Sequence, residues 1–291
     1  MSEAPANTRA ILLLVAAMAF FAGVDAFVKL TSETQDVGQI LTVSSAATFV
    51  IFVAILKLQG GLFWDRGALN APLLIRSTGE VVGSVGIVFA LATAPFSSVM
   101  SLAQAQPLAV VMGAALFLNE TVGWRRWAAV GLGAIGVLII LRPGQGSFDA
   151  NLLWVLVYIF GLAIRDLATR RLPGQISTAF AVAWSMLPMI VAGWLIMEFQ
   201  GGWRPISPYV VALYAGMVLS VSAALWTLTS AMRIGEISAI APFRYTRIVF
   251  ALFIGFVLFD DIPDFWTWMG VGLIVGSGTY AFLRERSLAQ R

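Results

Sequence analysis

The sequence predicts an all-α membrane protein of ten transmembrane helices, arranged as two five-helix repeats of opposite orientation offset by 141 residues. Three observations carry that reading: a composition unsuited to water, ten apolar runs of membrane-spanning length, and a gap-free internal repeat. Of the 291 residues only 11% are charged, against about 25% in ordinary soluble domains. The 59% hydrophobic content would leave large apolar surfaces in water, which soluble proteins rarely tolerate. His and Cys are both absent. That removes Cys/His zinc sites, a Ser-His-Asp triad, a Cys nucleophile and disulfides from consideration, and no resident metal or cofactor is expected.

A membrane helix needs about 20 apolar residues. Such runs fall at 10–30, 37–58, 71–92, 97–118, 124–141, 152–170, 176–199, 209–231, 237–259 and 265–283. The first lacks a small-residue cleavage site and holds Asp25 and Lys29, so it reads as a span and not as a removable signal peptide. The second and third are joined by the Gly-containing loop Gln59–Asn70, and the third carries Glu80 near its centre. Ser97, Ser101 and Gln104 form a polar stripe on the fourth, ahead of Pro107. Gly131, Gly133 and Gly136 in the fifth permit close helix contact. After the loop Arg142–Asn151, the sixth ends with Asp166 and Arg170. Pro188 lies in the seventh, while Ser222 and Trp226 share a face of the eighth. The ninth contains Pro242, Arg244, Tyr245 and Arg247, and the tenth has Gly270, Gly272, Gly276 and Gly278. The glycines are expected to serve packing within the chain or a homodimer seam. Pro107, Pro188 and Pro242 should kink their helices, and Pro107 and Pro242 are hinge candidates.

Shifting the chain by 141 positions lays spans one to five on spans six to ten. Asp25 meets Asp166, Ser44 meets Ser185, Gln59-Gly60-Gly61 meets Gln200-Gly201-Gly202, and Val130-Gly131-Leu132 meets Val271-Gly272-Leu273. The two repeats occupy 1–145 and 146–291. Five spans per repeat is an odd number, so the second must enter the membrane from the other side. Inverted repeats of this kind build many secondary transporters, with a site near the midplane. The alternative is a duplication kept only as scaffold.

Basic residues concentrate in cytoplasmic loops. With the amino terminus inside, twelve of them, among them Arg9, Lys57, Arg76, Arg125 and Arg284, fall on the cytoplasmic side, and only Lys29, Arg142 and Arg204 fall outside. Both termini are therefore expected in the cytoplasm. The basic residues form no continuous stripe, so the net charge of +3 reads as topology and not as nucleic-acid binding.

Charged groups within a bilayer need a partner, a wet cavity or a function. Glu80, Arg244 and Arg247, with Ser101, Gln104, Trp226 and Tyr245, compose a set suited to a zwitterion. An Arg fork holds a carboxylate, Glu80 holds an ammonium, and the aromatic rings line the pocket. Glu80 can alternatively carry a coupling proton, or pair with Arg244 or Arg247 purely to fix packing. Asp25 with Lys29, and Asp166 with Arg170, are acid-before-base i, i+4 pairs. They read either as reciprocal gates or as interfacial anchors.

Ala22 to Lys29, Ala90 to Ser98, Gln106-Pro107-Leu108 through Leu118-Asn119-Glu120-Thr121, Trp127, and Gly131 to Val137 together resemble the EamA-type branch of the drug/metabolite transporter superfamily over nearly the whole chain. The second copy departs from the pattern: Ile248 stands at the equivalent of Pro107, Asp261 at that of Glu120, and two arginines enter span nine. The resemblance implies a central cavity bounded largely by spans three, four, eight and nine. It also implies export of small metabolites, amino acids being a frequent class, across a bacterial inner membrane. Two rival readings come from other classes. Asp260-Asp261-Ile262-Pro263-Asp264 spells D-D-x-x-D, which in a membrane prenyltransferase would hold magnesium against a diphosphate. A channel would need a filter or a ring of like charges, and neither is seen. No Walker A motif is present, which leaves facilitated diffusion or ion-gradient coupling.

Overall fold

The computed structural model describes residues 3–61, 63, 70–117, 123–143, 149–234 and 241–289. Among them all regular structure is helical: α1 (Glu3–Ser32), α2 (Val37–Leu58), α3 (Ala71–Thr93), α4 (Phe96–Ala103), α5 (Gln106–Phe117), α6 (Trp124–Leu141), α7 (Leu153–Arg170), α8 (Thr178–Phe199), α9 (Pro208–Ile234), α10 (Thr246–Phe259) and α11 (Phe265–Ala289). Seven stretches of the described residues, counting α4 and α5 together as Phe96–Phe117, are long and apolar enough to cross a membrane.

Local chemistry sets the ends of these helices. Asn70 and Ser177 accept from the backbone N–H groups of Leu73 and Phe180, each satisfying one orphan donor of the first turn of α3 and α8. The C-termini of α2 and α8, 141 residues apart, close in the same way. Gln59 N donates to Ile55 O and Gly61 N to Leu56 O; at the equivalent positions Gln200 N donates to Ile196 O and Gly202 N to Met197 O. Gly60 and Gly201 both take positive φ, +75° and +108°, a region that penalises a Cβ.

Two expected spans are interrupted. Span four is broken between α4 and α5: Ala105 N turns back to Leu102 O, and the next helix starts at Gln106. Pro107 thus occupies the first turn of α5, where its missing N–H leaves no gap, and does not kink a continuous helix. In span nine, Pro242 belongs to a short 3-10 turn, Ala241–Tyr245, and the α-helix begins only at Thr246; positions 237–240 lie outside the described residues. Pro188 sits inside an unbroken α8.

The main packing partners are α1 with α9, α2 with α8, α3 with α7 and α6 with α11, supplemented by α1 with α10 and α5 with α7. Exchanging the two repeats converts α1/α9 into α7/α3 and α1/α10 into α7/α5, and leaves α2/α8 and α6/α11 as they were. In lipid there is no hydrophobic drive between helices, so close approach matters most. At the α3/α7 crossing a Cβ on Gly161 would lie 2.3 Å from Gly83 N, so only glycine fits. That approach brings Glu80 and Arg165 within bonding distance.

Candidate functional site

Charged side chains gather around α7, where α3 and α5 pack on it and Arg247 of α10 reaches its Tyr158. Glu80 on α3 bridges two guanidiniums: Oε1 lies 3.2 Å from Arg165 Nη1, and Oε2 lies 3.5 Å from Arg76 Nη2. Arg165 continues to Asp166, with Nη2 to Oδ1 at 2.8 Å, and the other Asp166 oxygen accepts from Gln106 Nε2 at 2.8 Å. Arg244 lies within electrostatic range of Asp166, Arg165 and Arg170. Arg76 is buried, donating to Ala181 O at 3.1 Å and to the Ser185 hydroxyl on α8.

A second cluster lies one helix away. Asp25 on α1 accepts from Arg247 Nη2 at 2.5 Å and from Arg247 Nε at 3.1 Å. The same guanidinium reaches Tyr158 OH at 3.4 Å and covers the Phe21 ring at 5.6 Å. Together the clusters contain three carboxylates, Asp25, Glu80 and Asp166, and four guanidiniums, Arg76, Arg165, Arg244 and Arg247. Acidic and basic groups are thus held close together on neighbouring helices, an arrangement able to meet both ends of a zwitterion.

The expected residues are rearranged accordingly. Glu80 pairs with Arg165 and Arg76, not with Arg244 or Arg247. Asp25 does not bond Lys29 four residues on; it is taken by Arg247, and Lys29 Nζ donates to Ala94 O at 2.9 Å instead. Asp166 likewise bonds its neighbour Arg165 and Gln106. Trp226 is 71% exposed, on the face of α9 opposite the buried Met217 and Ala224, so it does not wall this cluster. Ser101 and Tyr245 are buried with hydroxyls that lack a hydrogen-bond partner among the described residues, Tyr245 against Gly278, and Gln104 turns back to Met100 O. Arg165 and Tyr158 lie outside the set the sequence points to, although Arg165 stands beside Asp166 inside an apolar run. Arg76, counted from the sequence among the residues on the cytoplasmic side, is buried between α3 and α8, where the Ala181 carbonyl and the Ser185 hydroxyl satisfy it.

The D-D-x-x-D segment has a structural explanation. Asp261 caps α4, accepting from Ser97 N at 2.8 Å and from Ser97 Oγ at 2.7 Å. Asp264 caps α11 through Thr267 N and pairs with Arg142, which holds its carboxyl down at about 2 from an ordinary 3.8. Two of the three carboxylates are therefore engaged in ending and starting helices. An apolar cavity of about 220 Å³ between α6 and α11, lined by Trp124, Leu132 and Tyr280 among others, has no charged lining residue.

A family model for the EamA-like transporter family matches residues 8–142 and again 150–282. The chain belongs to the EamA-like transporter family. It is thus a small-molecule transporter of the drug/metabolite transporter superfamily and not an enzyme. The S-adenosylmethionine uptake transporter of Rickettsia prowazekii is 25% identical, covering 81% of each chain. The riboflavin transporter of Vibrio cholerae is 26% identical over 75% of this chain and 73% of its own. The pseudopaline exporter of Pseudomonas aeruginosa is 25% identical over 91% and 93%. One solved crystal structure superposes with a TM-score of 0.65 at 16% identity, covering 97% of this chain and 99% of its own, a likeness of fold.

Proposed function

We propose that this EamA-type carrier has ten spans in a 5+5 inverted repeat, lies in a bacterial inner membrane with both termini in the cytoplasm, and moves small zwitterionic metabolites, amino acids first among them, by alternating access. The observation that carries the substrate reading is the mixed charge of the α3/α5/α7 cluster. Its guanidiniums, Arg165 and Arg244 with Arg76 behind them, suit a carboxylate, and Glu80 suits an ammonium. S-adenosylmethionine, named for one relative, also carries an α-amino-acid group. That favours a second reading in which the solute is a larger amino-acid derivative. Export is the proposed direction, with an ion gradient or the solute's own gradient as the driving force.

Counterflow in proteoliposomes tests the reading. Vesicles loaded with amino acids should accumulate the labelled amino acid, and a cationic drug or a nucleotide sugar should compete weakly. Exchange confined to the drug or the nucleotide sugar would contradict the zwitterion site while leaving the carrier fold intact.

A further inference from the structure

The two carboxylates that the repeat superposes make the same contact. Asp25 on α1 is held by Arg247 on α10, and Asp166 on α7 is held by Gln106 on α5. Asp166 is Asp25 shifted by 141 positions, and Arg247 is Gln106 shifted by the same amount. Each contact ties the first helix of one repeat to the fourth span of the other. Both are made by residues far apart in sequence, with separations of 222 and 60.

We propose that Asp25–Arg247 and Asp166–Gln106 are two copies of one clasp, and that Arg247 and Gln106 are positioning residues for the transport cycle. The proposal rests on the inverted arrangement above. In such a fold, copies of one contact lie on opposite sides of the midplane, and opening the protein towards one side requires the clasp on that side to part. The two copies differ in strength. Arg247 makes a charged, forked contact, sealed by Tyr158 and Phe21. Gln106 donates a single amide hydrogen bond to a carboxylate it shares with Arg165. Two N–H donors from a guanidinium hold a carboxylate away from water more tightly than one neutral amide N–H does. The Asp25 side is therefore the slower to open and limits the cycle.

The chain has no cysteine, so single thiols report without background. Ala22→Cys and Ala163→Cys are equivalent positions, each three residues before its clasp carboxylate and each buried, at 0% and 5% exposure. In proteoliposomes, labelling by a membrane-impermeant maleimide should be slow at Ala22→Cys. Adding Arg247→Gln should raise its rate about tenfold or more while leaving Ala163→Cys unchanged. Gln106→Ala should do the reverse, raising Ala163→Cys labelling by a smaller factor. The exchange Asp25→Arg with Arg247→Asp should restore slow labelling at Ala22→Cys. Equal acceleration of both reporters by either variant, or failure of the exchange to restore protection, would overturn the proposal. No solute is needed for this readout, so it stands or falls separately from the counterflow panel.

Discussion

The α3/α7 crossing and the α9/α1 crossing are equivalent under the 141-residue offset, yet the first carries an ion pair between the two helices, Arg165–Glu80, where the second has two valines. Glu80 corresponds to Val221, Arg165 to Val24 and Arg76 to Met217. The first crossing is drawn together by glycines, with Gly79, Gly83 and Gly86 facing Gly161 and its neighbours on α7. At the second, Phe20 stands at the equivalent of Gly161, and a Cβ on Gly23 would meet Ser220 Oγ only at 3.7 Å. The backbone plan is symmetric and the chemistry is not.

The sharpest way to break that comparison is to close off the tight crossing. Gly161→Leu forces a side chain into backbone at 2.3 Å, a misfit beyond the usual 1–3 kcal/mol of overpacking. The protein should fail to reach a monodisperse folded state in detergent by size exclusion, whereas Phe20→Leu, at a residue 39% exposed, should melt within a few degrees of wild type. Next in size is the ion network. Arg165→Leu leaves Glu80 and Asp166 short of a shared partner and should destabilise by about 3–5 kcal/mol, the usual effect of orphaning a buried charge. The triple change Arg165→Leu, Glu80→Leu and Asp166→Leu should recover much of the thermal stability but none of the transport. Recovery of transport in that variant would assign the network to packing alone.

The smallest expected effect lies at the loops. Asp264 has its carboxyl lowered by Arg142 and by Thr267. A depressed carboxylate contributes fully above its unfolded value of 3.8 and loses that contribution as pH falls towards about 2. Detergent-solubilised wild type should therefore lose slightly more thermal stability than Asp264→Asn between about pH 4 and pH 2, and the two should run parallel from pH 5 to pH 8.

Much of this frame is legible in the residues. Helix boundaries follow the apolar runs to within three positions, except that α1 begins seven residues before its run, α11 ends six after its own, and spans four and nine are divided where Pro107 and Pro242 mark the start of a helix and a 3-10 turn. Proline fixes a break without saying whether the chain kinks or restarts. Glu80, Asp166, Arg244 and Arg247 stand out because charge is costly in lipid, and the structure places them in or beside the network. Their partners were not legible. Lys29 is the local candidate for Asp25, but α1 crosses α10, and the side chain 222 residues away takes the carboxylate. Arg76 resembles a snorkelling residue near a helix start until the Ala181 carbonyl and Ser185 of α8 are seen beside it.

The central claim is that transport chemistry resides on the ion-paired member of two equivalent crossings. Counterflow of a labelled amino acid by Glu80→Gln and by Val221→Thr, its equivalent on α9, tests this most directly. Glu80→Gln should lower exchange at least about tenfold with Val221→Thr close to wild type. Equal exchange by the two variants, both near the wild-type rate, would contradict it.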